Sequence, residues 1–237
     1  MANNGQFFVE GNVVAQENAQ FMTRVYQWMT IGVLLTSFIA GMIGRNAELV
    51  QTILMNKAIF WIIIIAQIGI VFSIGGLINR ISSTAATGLF LLYSALTGIT
   101  FSVIFLAYTA TSIQSAFLTT TVGFGGLTAF GYITKKDLSA LGSFCIMGLF
   151  GIIGYSILAI FFPSMMGGVA GLVISMMGLL VFAGLTAYDT QKIKVMGRQA
   201  YNEEERSKVA ILGALTLYLD FINLFMMILR LTGDRRR

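Results

Sequence analysis

Seven apolar runs account for most of the chain: residues 25–43, 58–78, 85–108, 113–134, 138–162, 167–188 and 209–229. At about 1.5 Å per residue in a helix, each is long enough to cross a hydrocarbon core of roughly 30 Å. The runs are continuously apolar, so they predict spanning helices. A transmembrane β-barrel is excluded, because its strands would read as alternating segments of about ten residues. The expected fold is an all-α polytopic membrane protein with seven transmembrane helices. Residues 1–23 are polar, rich in Asn and Gln, and carry no Lys or Arg. They lack the basic start of a signal peptide and read as a mobile cytoplasmic tail that stays on the chain. The expected organisation is this tail (1–23), a seven-helix domain (24–231) and a short basic C-terminal tail (232–237).

Composition sharpens this picture. Hydrophobic residues make up 57% of the chain, charged residues 11%, and the mean hydropathy is +0.83, far from the balance of a soluble domain. The net charge of +5 matters less than its placement. Arg80 follows the second run, Lys135 and Lys136 the fourth, and Lys192, Lys194, Arg198, Arg206 and Lys208 the sixth. The loops after the third and fifth runs hold no Lys or Arg. The positive-inside rule then puts the N-terminus and the even-numbered loops in the cytoplasm and the C-terminus outside. Arg45, Lys57 and the final "GDRRR" run against the rule, but early helices dominate orientation. No basic stripe interleaves with aromatics and no nucleic-acid module is present, so nucleic acid is not an expected partner. Lipid headgroups are the expected partners of Arg235, Arg236, Arg237 and the sixth loop.

Much chemistry is ruled out. The chain has no histidine, and Cys145 is its only cysteine. It can therefore form no internal disulfide, no Cys/His zinc site and no Ser-His-Asp triad, and neither an enzyme nor a tightly bound cofactor is expected. Gly148, Gly151 and Gly154, and the pair Gly167 and Gly171, read as close-packing positions between helices. The 13 methionines read as adaptable core filler.

Two acids stand apart from the others, which lie in the tail and loops. Asp189 closes the sixth run and Asp220 lies inside the seventh. A carboxylate at mid-bilayer costs about 2.5–3.5 kcal/mol even on the gentler insertion scale, so Asp220 needs a reason. At 100° per residue Gly213, Thr216, Asp220 and Asn223 share one face of the seventh helix. A small, polar stripe on an apolar helix should face protein or water, which makes the seventh helix interior.

The stretches "LLYSALTGITFSVIF", "TKKDLSALGSF", "GLTAYDTQKIK" and "ILGALTLYLDFINLFMMILRL" resemble the Bax inhibitor-1 family, in particular its bacterial branch. The resemblance runs from about Arg24 to Leu231. It implies seven helices with the seventh at the centre, wrapped by the other six, in a bacterial inner membrane. It also implies a pH-sensitive calcium leak, with calcium as the permeant ion. The family's paired aspartates correspond to Asp189 and Asp220, and its basic latch at the end of the second helix to Arg80. Two carboxylates close together in a poorly solvated site cannot both ionise cheaply; they share a proton, and their charge state responds to pH. As hard oxygen ligands they suit calcium, and two of them bind it weakly enough for transit. Thr216 and Asn223 support the pair on its polar face. One geometric condition attaches: Asp220 lies deep, so the pair meets only if the sixth helix continues beyond Asp189.

Three other readings stay open. Asp220 could only fix packing between helices. An intramembrane aspartyl protease also places "YD" on one helix and an aspartate on the next, but its GxGD and Pro-Ala-Leu motifs are missing here. The chain could instead regulate a membrane protease or a stress pathway through membrane-protein partners docked on the tail or on residues 191–208.

Overall fold

The computed structural model describes residues 4–162 and 168–236, and in that range every regular element is a helix. In chain order they are α1 (Asn4–Gly44), α2 (Ala47–Met55), α3 (Lys57–Leu77), α4 (Ser83–Phe101), α5 (Ile104–Ala107), α6 (Ala110–Ile133), α7 (Ser139–Phe161), α8 (Gly168–Gln199) and α9 (Glu203–Thr232). They supply seven stretches long and apolar enough to span a bilayer, with α4 and α5 together forming the third. The outward faces are greasy: Phe72, Val122, Phe150 and Leu180 are each at least 70% exposed. Apolar surface of that extent is stable only against lipid.

Polar caps mark the helix starts. The side chains of Asn46, Asn56, Ser82, Thr109 and Asn202 each accept from the backbone N–H three residues on, starting α2, α3, α4, α6 and α9. Glu203, Glu204 and Glu205 add negative charge to the first turn of α9, where the helix dipole favours it.

Several boundaries differ from the sequence expectation. The first helix does not begin at residue 25. Residues 16–23, read as part of a mobile tail, belong to the first span, and Asn18, Phe21 and Met22 are buried there. Asn18, Phe21, Met22, Val25 and Met29 all lie on one buried face, at the spacing of a helix that packs on its neighbours. Residues 1–3 lie outside the described part. The loop between the first two spans holds an extra helix, α2. The third span breaks after Phe101, where the Ser102 hydroxyl donates to the Ile99 carbonyl (2.7 Å) and tightens the turn. The long basic segment 191–208 is almost all helix: α8 runs on to Gln199 and α9 starts at Glu203. The connection containing the sole proline, Pro163, lies outside the described residues. So does Gly167 of the expected glycine pair; Gly171 lines a cavity between α7, α8 and α9.

α9 is the most buried of the seven spans, with Leu215, Leu217, Tyr218, Phe221, Leu224 and Leu229 each under 4% exposed. It packs on α1, α4, α6 and α8, while α3 packs on α4 and α7 on α8. The seventh span is thus the core helix, but its main neighbours are four of the other spans rather than all six. Two clamps hold it. At one end Glu203 pairs with Arg24 of α1 (3.6 Å), and the Glu204 carboxylate accepts from the backbone N–H and hydroxyl of Ser83 (2.8 Å each). At the other end the basic tail folds back along the α5–α6 junction. Thr109 N–H donates to Asp234 O (3.2 Å), Arg236 N–H to Ala107 O (3.0 Å), and Asp234 N–H to the Ser112 hydroxyl (2.9 Å).

The two ends of α6 therefore lie at opposite ends of the bundle. In a Cys145→Ala background, cysteines placed at the exposed positions Thr111 and Lys135 are expected to react with an impermeant maleimide from opposite sides of the membrane. Labelling of both from one side would overturn the seven-span arrangement.

Candidate functional site

The antiparallel hairpin of α8 and α9 sets the site. A side chain at Gly178 would meet Met227, and one at Gly213 would meet Ile193, which fixes the register of the two helices. Between those contacts Asp189 and Asp220 come together. The condition left by the sequence is met because α8 continues past Asp189 to Gln199, with its lysines at the rim.

Asp220 is held in place by its neighbours on α9. The Tyr218 hydroxyl lies 2.6 Å from Thr36 Oγ1, which also reaches the Ser94 carbonyl (2.8 Å). The Tyr218 ring meets Phe90 and Tyr93 edge-on, with both centroids 5.8 Å away. Phe221 meets Phe117 (5.6 Å) and Phe124 (5.4 Å) of α6. Tyr218 thus fixes α9 to α1 and α4, Phe221 fixes it to α6, and Asp220 faces α8. Edge-to-face pairs each contribute about 0.5–1.5 kcal/mol beyond burial, so the rotation of α9 is well determined.

Asp220 is 4% exposed, and its Oδ2 has no hydrogen-bond partner among the described residues. Asp189 is half-buried and close enough for a side-chain hydrogen bond to Asp220. A hydrogen bond between two carboxyl groups needs a proton on one of them, because an ionised carboxylate only accepts. Among the described residues no group of three His, Cys, Asp or Glu side chains is placed to hold a metal ion.

The other expected site residues are placed as follows. Thr216 and Asn223 lie on the same face of α9 but turn back to their own helix, donating to the carbonyls of Leu212 (3.0 Å) and Leu219 (2.8 Å). Asn223 also lines a cavity of about 1050 Å³ between α7, α8 and α9, with Ser156, Ser175 and Arg230, at the end of the bundle that carries the folded-back tail. That cavity reaches to within one turn of Asp220. Arg80 is not brought to the pair: it is exposed on the turn after α3 and joins no ion pair among the described residues. The cation whose field acts on Asp189 is Lys192, one turn further along α8.

The sequence reading missed three residues on the side of the pair that faces the α8–α9 turn. The Tyr26 hydroxyl is within hydrogen-bond reach of Thr128 and Thr190, joining α1, α6 and α8 next to Asp189. Thr186 and Thr190 are fully buried and bond back to Phe182 O and Thr186 O (2.7 Å each). Threonines one turn apart on an apolar helix were the available signal, since they mark a face turned away from lipid.

A family profile described as "Inhibitor of apoptosis-promoting Bax1" matches residues 18–237. The inner membrane protein YbhL of Escherichia coli strain K12 is 45% identical over 220 residues, covering 91% of this chain and 92% of its own length. An uncharacterized protein of Borreliella burgdorferi is 43% identical over 220 residues, covering 92% of this chain and 93% of its own. An uncharacterized membrane protein of Streptococcus pyogenes serotype M6 is 36% identical over 216 residues, covering 90% and 92%. With its seven spans and its core-helix acid, the chain belongs to the Bax inhibitor-1 family of membrane proteins.

Proposed function

We propose that this protein is a pH-responsive calcium leak channel in which Asp189 and Asp220 share one proton. The pair serves both as the sensor and as a weak, transient site for the permeant calcium ion. The observation that carries this reading is Asp220 itself, a buried acid with one unmet oxygen beside a second acid. An unsatisfied polar atom in a core costs about 1–3 kcal/mol, a penalty that packing alone gives no reason to keep. The cavity that reaches Asn223 supplies the outer approach, and the Tyr26, Thr128 and Thr190 hydroxyls the inner one. Protons and calcium compete for the same oxygens, so calcium occupancy falls as the pH falls. The Escherichia coli relative is named an inner membrane protein. The same membrane is proposed here, with the lysine-rich end of the bundle in the cytoplasm.

The test is calcium entry into liposomes that contain only the purified protein. Flux above that of empty liposomes, varying with pH, is expected. Absence of flux at every pH would leave regulation through protein partners as the function. Within this assay Lys192→Gln is expected to shift the pH midpoint more than Arg80→Gln, because Lys192 is the cation acting on Asp189. An equal or larger shift from Arg80→Gln would restore Arg80 as the latch.

A further inference from the structure

At the inner ends of α6, α7 and α8 a cleft of about 560 Å³ is lined by Lys135, Lys136, Lys192, Lys194 and Arg198. We propose that this cleft is a binding site for a phosphate-bearing anion. Its volume falls within the range of small-molecule pockets, about 300–1000 Å³.

The topology rule alone requires positive charge at this end of the bundle, but not its convergence on one concavity. Elsewhere at the same end Arg24 and Arg206 pair with Glu203 and Lys208 with Glu204, while the exposed Arg80 stands apart from the cleft without an ion pair among the described residues. In the cleft, Lys135, Lys136, Lys192 and Arg198 are exposed and join no ion pair among the described residues. Lys194 is committed to structure: its Nζ donates to the Tyr132 carbonyl (2.7 Å) and lies 4.3 Å from the centre of that ring. The only acid in the lining, Asp137, is engaged by Ser139, whose hydroxyl and then backbone N–H hold its carboxyl below the usual range. Asp137 therefore stays ionised and Lys192 lies in the field of Asp189, so the lining keeps a clear excess of positive charge, and Lys135, Lys136 and Arg198 are left without an ion-pair partner among the described residues.

The cleft is also built. Gln191 of α8 accepts from Leu138 N–H through Oε1 (3.0 Å) and donates to Lys136 O through Nε2 (2.9 Å). Thr134 Oγ1 accepts from Lys136 N–H (3.3 Å). The loop that carries Lys135 and Lys136 is thus held against α8, facing Lys192 and Arg198. Several unpaired cations around a fixed hollow select a compact group with more than one negative charge, and a phosphate is the one that basic pockets between membrane helices take. The phosphate can come from an anionic lipid headgroup of the adjoining leaflet or from a soluble phosphate.

The full-length protein in phosphatidylcholine nanodiscs separates these sources. One arm adds cardiolipin and follows bound lipid by native mass spectrometry; the other titrates inorganic pyrophosphate calorimetrically. Saturable binding is expected in at least one arm, and the arm that binds identifies the source. Each Lys or Arg near an anionic headgroup surface is worth about fivefold in binding, so Lys135→Gln/Lys136→Gln/Arg198→Gln is expected to weaken it by about a hundredfold. Arg80→Gln removes one charge from the same end and is expected to cost less than about fivefold. Gln191→Ala keeps every charge but releases the loop, and is expected to weaken binding clearly. No saturable binding in either arm would overturn the proposal. So would a Gln191→Ala protein that binds as the wild type does, because diffuse surface charge would then suffice.

Discussion

Asp220→Asn is expected to yield a folded protein whose calcium flux loses most of its pH dependence between about pH 5 and 8, the range open to a coupled acid pair. Asparagine keeps the shape of a protonated aspartate and its capacity to donate a hydrogen bond, but it cannot ionise. The bond to Asp189 therefore survives in one fixed form, and the shared proton is gone. Insertion is preserved because a neutral amide costs less in the bilayer than a charge. The anchors on either side, Tyr218 to Thr36 and Phe221 to Phe124, do not involve the carboxyl group and hold α9 as before. Asp189→Asn should flatten the response in the same way, since either substitution reduces two interacting acids to one. The measurement is the initial calcium flux in liposomes across that pH range, beside a thermal melt of each variant. A folded Asp220→Asn protein whose flux follows pH like the wild type would reduce Asp220 to a packing residue.

The second large effect is expected at Gly131, where α6 touches α8. A side chain built there would collide with the backbone of Ala187, including its carbonyl oxygen. A flexible side chain could move aside, but a helix backbone cannot. Gly131→Ala must therefore push the helices apart, at a cost of about 1–3 kcal/mol for overpacking. Ala187 is two residues from Asp189, so the displacement falls beside the acid pair. Gly123, Gly125 and Gly126 on the same helix have nothing within 4 Å of a built side chain. Alanine there should be neutral or stabilising, by up to about 1 kcal/mol of helix propensity. Thermal melts in detergent check the contrast: a marked loss for Gly131→Ala, and none for the other three. Equal melts for all four would mean that α6 and α8 do not approach as closely as described.

The same contrast shows what a sequence can and cannot disclose. The seven spans were legible because apolar length is a one-dimensional property, and the acid pair because two carboxylates stand out where almost nothing else is charged. The break after Phe101 was not legible: neither glycine nor proline occupies 102 or 103, and a serine bonding back to its own helix is common in unbroken helices. The extension of α1 into residues 16–23 left a signal, the spacing of Asn18, Phe21, Met22 and Val25, which overall polarity hid. Gln191 was invisible. Its role depends on a loop 53 residues earlier in the chain, and nothing local distinguishes it from a solvated glutamine. Among the glycines, only three-dimensional contact separates Gly131 from its unhindered neighbours.

The two clamps on α9 limit how this protein can open. A rod fastened at one end to α1 and α4, and at the other to the α5–α6 junction, cannot travel along its own length without tearing out both fastenings. Twisting is resisted too, because Tyr218 is bonded to Thr36 and Phe221 packs edge-on against Phe117 and Phe124. None of these fastenings involves α8, so if the protein opens as proposed, movement of α8 against a stationary α9 disturbs fewer of them than travel or rotation of α9 itself.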